Sequence, residues 1–143
     1  MKRAEFIRSS CSACALFAMP GIATLLLESC AGIPSYKAER NQATRECTVP
    51  LVKFGQSKIL LLRIKNSEFD FAVVKQSESE YKTFELKCTH EDQPLNLSDK
   101  NIFCTSHGSI FNFEGVPIKE PASRPLKQLK TRVADGQLII QLS

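Results

Sequence analysis

Three features of the sequence beyond residue 45 predict an all-β domain. Short apolar or alternating stretches recur at close spacing, Gly, Asn and Asp residues punctuate them, and no segment carries a helical stripe of apolar residues. In chain order, Cys47 to Val52 reads as a strand, and Pro50 marks it as an edge, because proline has no N–H to give to a central ladder. Gly55-Gln56 turns the chain into Ile59 to Ile64, a strongly apolar strand. Asn66-Ser67-Glu68 turns it again into Phe69 to Lys75, and a polar loop follows at Gln76 to Glu80. Tyr81 to Leu86 alternates as a half-buried strand should. Near the end, Asp135-Gly136 sits between Thr131-Arg132-Val133 and Gln137 to Leu142, a strong two-residue hairpin signal. Strand pattern alone leaves the choice between a β-sandwich and a barrel.

The chemistry is concentrated between Cys88 and His107. Cys88-Thr89-His90 is followed, thirteen residues later, by Cys104-Thr105-Ser106-His107. The protein has two histidines, and each falls just after a cysteine in this stretch. Two short loops that each offer a thiolate and an imidazole can hold a binuclear iron–sulfur cluster, with both Cys on one iron and both His on the other. Leu95-Asn96-Leu97, Ser98 to Asn101 and Ile102-Phe103 between them read as a hairpin that brings the loops face to face. A tetrahedral zinc module is the alternative for Cys88, His90, Cys104 and His107. Zinc modules pair Cys with Cys and His with His at each end, and the alternating order here fits a binuclear cluster better.

These loops resemble the Rieske iron–sulfur family, and the resemblance continues past the ligands through Gly108-Ser109, Gly115 and the proline-containing Glu120 to Leu126. It covers roughly Glu46 to Ser143. It implies a Rieske-type 2Fe-2S cluster on Cys88, His90, Cys104 and His107, a base of antiparallel sheets, and a small cluster-binding lobe at about residues 88–125. It also implies that Ser109 donates its hydroxyl to a cluster sulfur, which raises the potential. The second hydroxyl donor of high-potential members is a tyrosine two residues later, where Phe111 stands. The quinol-oxidising members carry an extra disulfide between the ligand loops. Its positions here are Gln93 and Ser106, so the chain resembles the ferredoxin-like branch. Glu91 and Asp92 beside the first histidine suit a polar protein partner better than an apolar quinone pocket.

The first thirty residues read as an export signal. Met1 to Arg8 is basic, and Cys14 to Leu27 is an uncharged, mostly apolar run of fourteen residues, interrupted by Pro20-Gly21. A bilayer crossing needs about twenty, so a retained anchor is the lesser alternative. Lys2-Arg3-Ala4-Glu5-Phe6-Ile7 resembles a twin-arginine signal, which suits cargo that must fold around its cluster before export. Leu27-Glu28-Ser29-Cys30 resembles a bacterial lipobox, making Cys30 the lipidation candidate and the membrane surface a partner. Residues 31–45 read as a linker. Of the six cysteines, Cys47 is left over and reads as a small buried hydrophobe.

Composition excludes several functions. The net charge is +4 over 143 residues with both signs interspersed, so no nucleic-acid surface is implied. There is no Gly-rich phosphate loop and no third histidine for a mononuclear iron, which argues against an oxygenase catalytic subunit. The sequence therefore points to a one-electron carrier on the periplasmic side of a bacterial membrane, working between redox protein partners rather than as an enzyme. The alternatives are a ferredoxin component or small subunit of a larger oxidoreductase or oxygenase system, and the zinc module.

Overall fold

A computed structural model describes residues 32–142, so the stretch read as an export signal and Cys30 lie outside the described residues. Alternating and apolar stretches become twelve strands: β1 (Ser35–Ala38), β2 (Glu46–Pro50), β3 (Ile59–Ile64), β4 (Phe71–Lys75), β5 (Tyr81–Glu85), β6 (Asn96–Leu97), β7 (Ile102–Phe103), β8 (Ile110–Phe111), β9 (Pro117–Lys119), β10 (Gln128–Leu129), β11 (Thr131–Ala134) and β12 (Gln137–Gln141). They form a five-stranded sheet in the order β1-β3-β4-β5-β10, a three-stranded sheet β11-β12-β2 and a four-stranded sheet β6-β7-β8-β9. All pairings are antiparallel except β1 with β3. The domain is all-β, as its sequence predicts, and contains no α-helix among the described residues.

The five-stranded sheet is the middle layer, and β4 shows why. Its Phe71 and Val73 enter one core with Leu60 and Leu62 of β3, Cys47 and Val49 of β2, and Leu138 and Ile140 of β12. Its Ala72 and Val74 point the opposite way, into a second core with Phe84, Leu86, Cys88, Leu95, Ile102, Cys104 and Phe111. A strand packed on both faces needs a continuous apolar run, not alternation, and Phe71-Ala72-Val73-Val74 supplies it. Each large aliphatic side chain buried this way contributes about 1.5–3 kcal/mol. The first core holds the base together, and the second joins the base to the lobe that carries the ligand loops.

Two expectations change. The described part of the expected linker, residues 32–45, is not simply a linker, because β1 adds a parallel edge to the middle sheet, with Tyr36 opposite Leu62 and Ala38 opposite Ile64. Ala38 is buried in the first core and Tyr36 packs against it, so burial recruits this polar stretch. The strand expected to reach Val52 ends at Pro50, and Leu51–Phe54 winds a single 3-10 turn that buries Phe54. β2 is an edge of its sheet, where Pro50 is tolerated. The hairpin at Asp135-Gly136 forms with both residues at positive φ, 50° and 71°, as a type I′ turn requires.

Candidate metal centre

Each candidate ligand cysteine opens a loop with the same hydrogen-bond frame. The Cys88 N–H donates to the Gln93 carbonyl at 2.8 Å and its carbonyl accepts from the Asp92 N–H at 2.9 Å. The Cys104 N–H donates to the Ser109 carbonyl at 2.9 Å and its carbonyl accepts from the Gly108 N–H at 3.1 Å. The residue four places after each cysteine closes the turn at positive φ, Asp92 at 48° and Gly108 at 80°. Asp and Gly are residue types that tolerate this left-handed region. The hairpin between the loops forms as β6 and β7, with Asn96 opposite Phe103 and Leu97 opposite Ile102. Ser98 closes its turn, its hydroxyl accepting from the Asn101 N–H at 3.0 Å.

The two loops place their donors in two pairs. Cys88 and Cys104 are 1% and 3% exposed, in the second core, while His90 and His107 lie at the surface. The imidazole rings meet edge to face with centroids 5.1 Å apart. Burial pushes the Cys104 thiol up, but the backbone N–H groups of Ser106 and His107 and side-chain bonds from Cys88 and Ser106 outweigh it, so the thiol is held below its ordinary value. That is the environment a metal-bound thiolate needs. A buried thiol pair in contact beneath an exposed imidazole pair fits a binuclear cluster, with an inner iron on sulfur and an outer iron on nitrogen. The outer pair also has a carboxylate beside it. One donor atom each from His90, Glu91 and His107 lies within 4.8 Å of the others, and the Glu91 carboxylate is 3.7 Å from His107 Nδ1.

Ser109 is fully buried, and its hydroxyl oxygen accepts the Ala122 N–H at 3.0 Å, which leaves the hydroxyl proton available for donation. Phe111, fully buried in the second core, adds no second donor. Gln93 and Ser106 occupy the disulfide positions, and the described cysteines Cys47, Cys88 and Cys104 are all free. Asp92 is turned to Lys87, at 3.1 Å.

Three residues of the site escaped the sequence reading. Thr89 Oγ1 donates to the Arg124 carbonyl at 2.7 Å, and Arg124 Nη2 donates to the Thr89 carbonyl at 3.0 Å. Lys119 Nζ lies near Gly108, 3.8 Å from where a Cβ there would stand. The only signal in the sequence was the proline-containing loop that carries Arg124; nothing local marks a contact between residues thirty-five apart.

No curated protein is significantly similar to the chain in sequence. Among solved structures, the chain resembles one from the complex of reduced oxygenase and oxidised ferredoxin in carbazole 1,9a-dioxygenase. The identity is 22%, the match covers 68% of this chain and 94% of that one, and the TM-score is 0.51. The ferredoxin of carbazole 1,9a-dioxygenase from Nocardioides aromaticivorans IC177 is 15% identical, over 67% of this chain and 95% of that one, with a TM-score of 0.51. The plasma-membrane Rieske protein PetC3 of the cyanobacterium Synechocystis PCC 6803 is 23% identical over 58% of this chain and 85% of that one, with a TM-score of 0.49. At these identities the likeness to the two ferredoxin structures is one of fold. The sequence model of the Rieske [2Fe-2S] domain matches residues 47–130, more than half of the chain and all of both ligand loops. The chain therefore belongs to the Rieske 2Fe-2S family, an electron-transfer protein whose cofactor is a Rieske-type 2Fe-2S cluster.

Proposed function

We propose that this protein is a non-enzymatic one-electron carrier, exported and tethered to the periplasmic side of a bacterial membrane through Cys30. In this reading Cys88 and Cys104 hold one iron of the cluster and His90 and His107 the other. The observation that carries it is the separation of the donors, a buried thiol pair beneath an exposed imidazole pair. When bound, the cluster takes up and releases a single electron. Leu95, Ile102, Phe111 and Leu126 pack around the thiol side in the second core and keep water from it. The exposed histidines are the part of the site that a redox protein can approach. Glu91 at the same surface gives that approach a polar character. Export and tethering rest on the basic start, the apolar run and the Leu27 to Cys30 motif of the leader.

A ferredoxin component serving an oxygenase is the second reading, favoured by Gln93 and Ser106 standing where the quinol-oxidising members have cysteines. Cell fractionation separates the two, since cytoplasmic residence rejects the tethered carrier. Fatty-acid labelling of the protein, lost in Cys30→Ala, supports the lipid anchor; unlabelled protein removes it. The ligand set is tested on anaerobically purified protein by iron, sulfide and zinc content and an EPR spectrum after dithionite. Two irons and two sulfides per chain with a rhombic spectrum of low average g are expected, and both are lost in His107→Ala. Zinc without sulfide, or an unaltered visible spectrum in that variant, overturns the assignment.

A further inference from the structure

We infer that Lys119 and Arg124 form a pair of cations at the mouth of the metal centre, one against each ligand loop, which raises its reduction potential. The inference rests on the ligand reading above. Both residues come from the segment that follows β8. The register of β9 sets Lys119 opposite Ile110, and its ammonium stands beside Gly108, the residue after His107, 3.8 Å from where a Cβ there would lie. Arg124 is bonded through Nη2 at 3.0 Å to the carbonyl of Thr89, which lies between Cys88 and His90. Among the described residues neither cation is held in an ion pair by a carboxylate.

Reduction adds one negative charge to the centre. A fixed cation nearby therefore stabilises the reduced form more than the oxidised one, and a carboxylate does the opposite. The opposing charges are few. Glu91 lies 3.7 Å from His107, Asp92 is engaged by Lys87 at 3.1 Å, and Glu120 is exposed and paired with neither cation. Phe111 supplies no hydroxyl, and the bonds that reach the Cys104 sulfur come from the Ser106 hydroxyl and the backbone N–H groups of Ser106 and His107. Lys119 is an exposed charge for which no side-chain hydrogen bond or ion pair is formed among the described residues, so its effect is separable from folding.

The test is the midpoint potential of iron-loaded full-length protein and its Lys119→Arg, Lys119→Gln and Lys119→Glu variants, measured by film voltammetry at low and high salt beside iron content. At the wild-type midpoint, Lys119→Gln is expected to lower the reduced-to-oxidised ratio about threefold, as a surface charge does. Lys119→Glu lowers it further, and Lys119→Arg restores it. The differences shrink near 1 M salt, where the screening length is about 3 Å. Fully loaded Gln and Glu variants with the wild-type potential overturn the inference while leaving the ligand assignment intact. Wild-type protein without iron and sulfide overturns the ligand assignment, and the inference with it.

Discussion

Thr89 and Arg124 hold each other reciprocally: the threonine hydroxyl donates to the arginine carbonyl at 2.7 Å, and the guanidinium returns a bond to the threonine carbonyl at 3.0 Å. The second ligand loop has its own latch, in which Ser109 accepts the Ala122 N–H at 3.0 Å. One segment, from Glu120 to Arg124, is thereby fastened to both loops that offer the metal donors. The loops are short and irregular, so these cross-links, rather than a long ladder, fix their separation.

Removing one bond of the first latch should loosen the site without unfolding the domain. Thr89→Val is expected to cost about 1 kcal/mol, read in chemical denaturation. The visible absorbance should bleach faster under an iron chelator. A bleaching rate equal to wild type means that the latch does not hold the loop.

Ser109→Ala removes an acceptor and a donor together. The buried Ala122 N–H loses its partner, at a cost of about 1–3 kcal/mol, and any bond from the hydroxyl to the centre is lost. Lower stability and a lower midpoint potential are expected together. A drop in stability alone confines Ser109 to the latch.

The lobe is pinned to the middle sheet at Gly115. Its φ is +76°, and a Cβ there would lie 2.6 Å from the Phe84 ring. Nearby, Leu126 N–H donates to the Gly115 carbonyl at 2.8 Å, and Lys82 pairs with Glu114. Gly115→Ala is expected to destabilise by about 2–4 kcal/mol, combining left-handed strain with overpacking. Urea unfolding measures it, and a change under 0.5 kcal/mol in the midpoint-derived stability, on the order of a neutral surface substitution, contradicts the packing described.

Cys47 gives the domain a pH dependence of definite sign. Burial pushes its thiol from the ordinary 9.0 up to about 11. The unfolded chain therefore ionises first as pH rises, and it binds fewer protons than the native state above pH 9. The contribution is fully present below about 9, and between about 9 and 11 stability falls by an amount on the order of 2–3 kcal/mol. Cys47→Val should flatten that part of the curve. The same burial predicts that native protein resists thiol alkylation at Cys47 until it unfolds.

The two-residue hairpin turn and the apolar runs of β3 and β4 were legible in the sequence, because each depends on residues within a few positions of one another. Cys88, His90, Cys104 and His107 stand out as a candidate donor set by their alternating order and the family resemblance, and Asp135-Gly136 announces its turn by the positive φ those residues tolerate. What the tertiary structure alone decided depends on chain segments far apart in sequence. β1 is a strand because β3 offers it an edge and the first core buries Ala38, and nothing in Ser-Tyr-Lys-Ala requires that on its own. β9 and β10 are too short to show a period, and they exist by pairing with β8 and β5. Nothing in the sequence singles out Arg124 and Lys119 as neighbours of the two Cys–His loops. Folding carries them to the ligand loops, because a hydrogen bond or a charge acts through space and leaves no periodic trace along the chain.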